Sequence, residues 1–125
     1  MKSPVTLVVG ASPNPERYSF LATQLLEEKG HLVYPFGIKN GLINSTTILT
    51  IWPVKGSIDT VTLYIGPAAQ TEYLEAIINL APRRIIFNPG TENPILASLA
   101  AKNGIETMEA CTLVLLNTGQ YSSIH

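Results

Sequence analysis

The sequence predicts an α/β protein, a doubly wound and mostly parallel sheet of five to six strands with helices on both faces. Short apolar, β-branched runs such as Val5–Val9 suit strands buried on both sides. Helical patterns of roughly 10 to 13 residues separate these runs. Gly, Pro or Asn closes nearly every one of them.

Val5–Val9 is the first strand, ended by Gly10, and the stretch from Gly10 to Arg17 is turn chemistry. A helix starts near Tyr18 or Ser19, with Phe20, Leu21, Leu25 and Leu26 on its apolar side and Gln24, Glu27, Glu28 and Lys29 on its wet side. Gly30 ends it. His31–Phe36 is the second strand, so the opening is a βαβ unit, expected with a right-handed crossover. Lys39–Ser45 is polar, and Thr46–Trp52 reads as a short strand or an anchored loop, which Pro53 limits to an edge. Ile58–Ile65 is a strand closed by Gly66-Pro67. The next helix has Thr71 as its N-cap and Leu74, Ile77, Ile78 and Ala81 on one face. Arg84–Phe87 is a strand, Ile95, Leu96, Leu99 and Ala100 mark a helix, and Ile105–Met108 is the last strand. Cys111–Asn117 reads equally as helix or strand.

With 125 residues, 46% hydrophobic and 14% charged, the chain is expected to form one domain over residues 1–125. A net charge of -1 argues against a nucleic-acid partner, and the aliphatic content argues against disorder. A single cysteine excludes an internal disulfide, and His31 and His125 lie too far apart for a local zinc motif. Thr107–Asn117, the most apolar stretch, falls far short of a bilayer span, so no membrane is expected. The opening residues lack a signal-peptide core, which predicts a cytoplasmic protein.

Ligands of such sheets bind beyond the C-terminal strand ends, where the strand order reverses. Three loops leave strands there: Gly10–Arg17, Gly66–Gln70 and Asn88–Asn93. The first precedes a helix N-terminus, whose free N–H groups attract phosphate. Ser12, Asn14 and Ser19 offer neutral donors and Arg17 a charged one, and Lys39 follows the second strand as a further cation. Gly66-Pro67-Ala68-Ala69 is small enough to admit a flat group such as an adenine or a pantetheine arm. A dinucleotide site would need G-x-G-x-x-G and an acid ending the second strand. Ser12 and Asn14 stand in place of the glycines, and Tyr34-Pro35-Phe36-Gly37 carries no acid, which disfavours NAD(P).

The opening VVGASPNPERYSFLATQLLEEKGHLVYPFG resembles the start of the small bacterial CoA-binding proteins, themselves similar to the N-terminal CoA-binding domain of the succinyl-CoA synthetase alpha subunit. The segment VTLYIGPAAQTEYLEAIINLAPRRIIFNPGTENPILASLAAKNGIETMEAC continues the likeness, and Lys39–Ser57 carries least of it. The resemblance implies a Rossmann-like fold holding CoA, an acyl-CoA or a related adenine nucleotide. It places the phosphates near Gly10, Ala11, Ser12, Pro13, Asn14, Arg17 and Ser19, with Lys39 at the edge. Gly66, Pro67 and Ala68 would meet the nucleotide or pantetheine, and Asn88, Pro89 and Gly90 would line the next part of the crevice. Three segments depart from the family pattern. Phe36-Gly37-Ile38 replaces Val-Asn-Pro, Phe87-Asn88-Pro89 stands where Trp and Gln are frequent, and Gly66-Pro67 replaces a Phe-Arg pair.

Synthetase chemistry uses a phosphohistidine in a separate domain, which this chain is expected to lack. His31 reads as a core or surface residue, Cys111 as a buried, inert thiol, and Glu106 and Glu109 as solvated carboxylates. The expectation is therefore binding without catalysis. An NAD(P) enzyme and a structural or interaction domain that has lost its ligand are the alternatives. Leu113–Leu116 is apolar enough to pack on a second subunit as a homodimer.

Overall fold

The computed structural model describes residues 4–122; His125 lies outside them. The chain runs β1 (Thr6–Val9), α1 (Tyr18–Glu28), β2 (Val33–Phe36), β3 (Leu42–Ile43), β4 (Thr46–Thr47) and β5 (Thr60–Leu63). It continues through α2 (Pro67–Gln70), a 3-10 turn (Thr71–Tyr73), α3 (Leu74–Asn79), β6 (Arg84–Phe87), α4 (Pro94–Lys102), β7 (Glu106–Glu109) and α5 (Thr112–Asn117). Five strands pair in parallel in the order β2-β1-β5-β6-β7, and β3 and β4 form a separate antiparallel hairpin. This is the expected Rossmann-like sheet, and its order reverses between β1 and β5.

The residues of β1, β5 and β6 are all buried, and alternate side chains leave each strand on opposite faces. Leu7, Val61, Leu63, Ile85 and Phe87 pack with Ile77 of α3 and Leu96 of α4. Val8 and Ile86 pack on the other face with Leu26 of α1 and Leu115 and Leu116 of α5. Both faces are therefore covered, which is why the central strands are buried along their whole length.

The first residues of β1, β5 and β6 form a polar row, Thr6, Thr60 and Arg84, on the α1/α5 side. Arg84 is only 1% exposed. Its Nε donates to Thr60 Oγ1 at 2.7 Å, its Nη2 donates to the Tyr121 carbonyl at 2.9 Å, and its guanidinium lies 4.5 Å over the Tyr121 ring. The Tyr121 hydroxyl meets Thr6 Oγ1 at 2.5 Å, and His31 packs edge-on against the same ring. This cluster fastens the chain after α5 to the N-terminal end of the sheet.

Several local expectations are corrected. The buried face of α1 is Ser19, Ala22, Thr23 and Leu26, whereas Leu21 is 38% exposed. Small residues let α1 approach the sheet closely, and Thr23 returns its hydroxyl to the Ser19 carbonyl at 2.8 Å. Thr71 is not an N-cap: the helical segment starts four residues earlier at Pro67, with Gly66 as cap, because proline at the first position gives up an N–H that has no partner there anyway. Ala81 lies past the helix, exposed and with φ +53°. Thr46–Trp52 is half hairpin, half edge cover. Leu49 bridges Phe36 in parallel through Leu49 N–H to Pro35 O at 2.8 Å and Gly37 N–H to Leu49 O at 3.0 Å, and Trp52 stacks on Phe36 at 4.1 Å. The ambiguous tail is helix α5.

Candidate functional site

The loop after β1 is held from two sides. Gly10 has φ +97°, and a Cβ there would lie 2.7 Å from Ile65 Cγ2 and 3.1 Å from the Tyr64 carbonyl carbon. The N–H groups of Gly10 and Ala11 both donate to Phe36 O at 2.9 Å. Gly37 comes so close that a Cβ would stand 2.4 Å from Ala11 O. The β3–β4 segment braces the loop from outside, where Ala11, Ile43 and Ile48 form a small core with Phe20. Inside the loop, Asn14 N–H donates to Ser12 Oγ at 3.1 Å, and Asn14 Oδ1 accepts from Glu16 N–H at 3.0 Å.

This loop delivers the chain into α1 with an open first turn. Arg17 is the N-cap residue, with extended backbone and no side-chain cap, and no acid lies in the first turn. In contrast, the Asn93 side chain caps α4, accepting from Ile95 N–H at 3.1 Å and Leu96 N–H at 3.3 Å. The start of α1 thus offers uncompensated positive dipole and N–H donors.

A cleft of about 570 Å³ opens over that helix start. Its walls are the Gly10–Pro13 loop, Ile38 and Lys39 after β2, Tyr64 and Ile65 after β5, and Pro89 and Thr91 after β6. It therefore lies at the reversal of strand order between β1 and β5. Arg17 and Lys39, both exposed, line it together with Ser19, and Glu16 adds one carboxylate. A second cavity of about 290 Å³ shares Gly10, Ala11, Ile38 and Ile65 with the first and extends to Phe36, Ala69, Glu72 and Tyr73.

The structure gathers at the cleft the predicted Gly10, Ala11, Ser12 and Pro13, with Arg17, Ser19, Lys39 and Pro89. It places the others elsewhere. Asn14 shapes the loop without lining the cleft. Gly66, Pro67 and Ala68 sit exposed at the start of α2, and Ala69 is the residue of that turn that reaches a cavity. Asn88 is 2% exposed, and its amide is consumed internally. Nδ2 donates to Thr62 Oγ1 at 2.7 Å and Leu63 O at 2.8 Å, while Oδ1 accepts from Thr112 N–H at 2.8 Å. It ties β5, β6 and α5 together. Gly90 is exposed and donates its N–H to Glu92 Oε1 at 2.9 Å.

Sequence reasoning missed Tyr64 and Ile65, read as strand, and Tyr18, Ile38 and Thr91, whose position just beyond strand or loop ends was the available signal. Gln70 carried none. Buried, it donates from Nε2 to Ile65 O at 2.9 Å and Thr91 O at 2.8 Å and accepts from Asn93 Nδ2 at 2.9 Å, which fixes two cleft walls to each other. The Tyr64 hydroxyl is buried beside Thr112 and Thr62, and burial raises its pKa above the ordinary phenol range. Cys111, expected to be buried, is partly exposed as the residue before α5. Among the described residues no cluster of His, Cys, Asp and Glu could hold a metal ion, and no helix is long and apolar enough to cross a membrane.

The chain is similar along nearly its whole length to proteins of known structure. One, described as an uncharacterized protein, is 43% identical, with 96% of this chain and 99% of that one covered and a TM-score of 0.91. A hypothetical protein from Pyrococcus horikoshii OT3 is 25% identical over 90% of this chain and 81% of its own, with a TM-score of 0.82. A Thermus thermophilus protein at 19% identity, covering 94% of this chain and 90% of its own, shares the fold with a TM-score of 0.80. No curated protein matches. A family model for the CoA binding domain matches residues 5–117, a span that runs from β1 through the end of α5 and contains every wall of the cleft. The chain belongs to the CoA binding domain family.

Proposed function

We propose that this protein binds CoA, or a related adenine nucleotide, without catalysing a reaction on it. The observation that carries this reading is the uncapped start of α1 opening into a cleft that Arg17 and Lys39 both line. A diphosphate there would receive N–H groups from the first turn of α1, the Ser19 hydroxyl and charge-assisted bonds from the two cations. Gly10 fits that role, since the loop passes so close to Ile65 that no side chain is accommodated there. The adjoining apolar cavity is suited to the base, and the arm of the cleft toward Tyr64, Pro89 and Thr91 to a pantetheine chain.

Support for binding without catalysis comes from the lining chemistry. The walls offer hydroxyls, two cations, the carboxylates of Glu16 and Glu72, and apolar surface, with neither His nor Cys among them. Nucleophilic or general acid–base chemistry needs a nucleophile or base held by an activating partner, and Glu16 and Glu72 are exposed carboxylates that make no ion pair among the described residues. The reading is tested by isothermal titration with CoA, acetyl-CoA, ADP and NAD. CoA is expected to bind more tightly than ADP, with NAD weakest, because β2 ends in Phe36-Gly37 without an acid for the ribose. No heat with CoA would refute it.

A further inference from the structure

We propose that the free edge of β7, with the hollow beside it, docks a basic, extended segment of a partner protein as an added strand. The two edges of the sheet are finished differently. At β2 the edge is closed, because Leu49 bridges Phe36 through its N–H to Pro35 O and its carbonyl to Gly37 N–H. At β7 no strand follows in the order, and Glu106, Thr107 and Glu109 are exposed. Glu106 N–H donates to Arg83 O at 3.0 Å and Ala110 N–H to Phe87 O at 3.1 Å, so Glu106, Met108 and Ala110 turn their backbone groups inward to β6. The alternate residues, Thr107 and Glu109, turn their N–H and C=O groups to the open side. No described loop or strand takes them up.

Charge decides what can cover this edge. Beside it lies a hollow of about 390 Å³ between β7 and α4, lined by apolar Phe87 and Ala97 and with Glu92 and Glu109 as its charged groups. Neither carboxylate makes an ion pair among the described residues, and Glu92 Oε1 accepts from Gly90 N–H. A second copy of the chain, paired antiparallel along all of β7, would set Glu106 against Glu109 at both ends, and like charges directly opposite destabilise a strand pair. A strand with Lys or Arg at alternate positions does the reverse. Its aliphatic stems lie over Phe87 and Ala97 while the charged ends reach Glu92 and Glu109. Its backbone completes the ladder that Thr107 and Glu109 leave open, as extended peptides do at other sheet edges. The acidic residues thus discourage self-pairing and favour a cationic strand. The hollow shares no lining residue with the cleft over α1, so the proposal stands apart from the nucleotide reading.

The test is isothermal titration of the full chain with acetyl-Val-Lys-Val-Lys-Val-Lys-Val-amide. Two controls run beside it: the same peptide with Glu for every Lys, and one methylated at every peptide nitrogen. The lysine peptide is expected to bind, and each control to bind at least about tenfold more weakly, one for lost charge complementarity and the other for lost backbone donors. Glu92→Gln combined with Glu109→Gln keeps an acceptor for Gly90 N–H and should weaken the lysine peptide by about tenfold. Thr107→Pro removes an outward N–H that the ladder to β6 does not use and should weaken it by about as much. The methylated peptide reads the same backbone bonds without depending on how that variant folds. In wild type the lysine peptide should also slow hydrogen exchange at the Thr107 and Glu109 amides. No binding at about 1 mM lysine peptide, equal binding of either control, or protection that spares Thr107 and Glu109 would overturn the proposal. A dimer in sedimentation equilibrium that Thr107→Pro dissociates would give the edge to a second copy and overturn it as well.

Discussion

The contact between Gly37 and the loop after β1 allows a stability effect to be worked from geometry. Gly37 has no left-handed backbone, so Gly37→Ala adds a methyl group and little else. That methyl would lie 2.4 Å from Ala11 O, 3.3 Å from Ala11 C and 3.5 Å from Ile48 Cγ2. Restoring ordinary contact needs a retreat of about 1 Å, since real Cβ contacts rarely fall under 3.4 Å. The Ala11 carbonyl is poorly placed to yield, because its own N–H is bonded to Phe36 O at 2.9 Å and its side chain is buried with Ile43 and Ile48. Overpacking of this kind costs about 2 kcal/mol, which in a domain of this size lowers Tm by roughly 5 to 10 °C. The strain falls on the loop that shapes the cleft, so CoA affinity should drop too, by about tenfold or more for a shift of about 1 Å. Thermal unfolding followed by circular dichroism, with titration of the same sample, measures both. A Tm and an affinity within error of wild type would refute the argument.

Three further outcomes are expected. Arg17→Ala, at an exposed position, should leave Tm unchanged yet weaken CoA binding by about 1.5 to 3 kcal/mol, the loss of a charge-assisted bond to phosphate; equal affinity in a calorimeter would count against the phosphate site. Asn88→Ala should destabilise by roughly 3 kcal/mol, since it strands Thr112 N–H and removes two donated bonds, and urea unfolding with an unchanged midpoint would contradict that. Burial, then the nearby Arg84 charge, hold the His31 pKa below its ordinary 6.5. The unfolded chain therefore takes up the proton first, so this contribution to stability is full above pH 6.5 and declines as pH falls below it. His31→Gln should flatten the stability profile between about pH 7 and pH 5, and an identical slope in the two proteins would sink the assignment.

The strands were legible because both faces of the sheet are covered, which gathers aliphatic and β-branched residues into runs such as Val5–Val9 and Ile85–Phe87. The cleft loop was legible because Gly10 and the prolines after it mark a turn between a strand and a helix. What escaped reading depends on partners distant in sequence. The buried side of α1 holds Ser19 and Thr23 because α5 and the sheet lie close, which no helical wheel discloses. Arg84 opens its strand with nothing in the neighbouring sequence to mark it as interior, yet Thr60 and the Tyr121 carbonyl, far along the chain, satisfy it there. Asn88 read as a cleft residue for the same reason that made it structural: it is a polar group at a strand end, and its partners Thr62 and Thr112 happen to converge there. The small cavity was legible only in part, through Gly10, Ala11 and the Gly66–Ala69 turn, because it joins the ends of β1 and β2 to Glu72 and Tyr73, which carry no signal of their own.

The most direct test of the central claim is a crystal structure of the protein with CoA. The account predicts the diphosphate over the first turn of α1, within hydrogen-bonding reach of Ser19 and Arg17, and the base in the cavity beside Phe36 and Tyr73. CoA bound elsewhere, for instance in the hollow of about 390 Å³ between α4 and β7 beside Ala97 and Met108, with the α1 cleft empty, would contradict it.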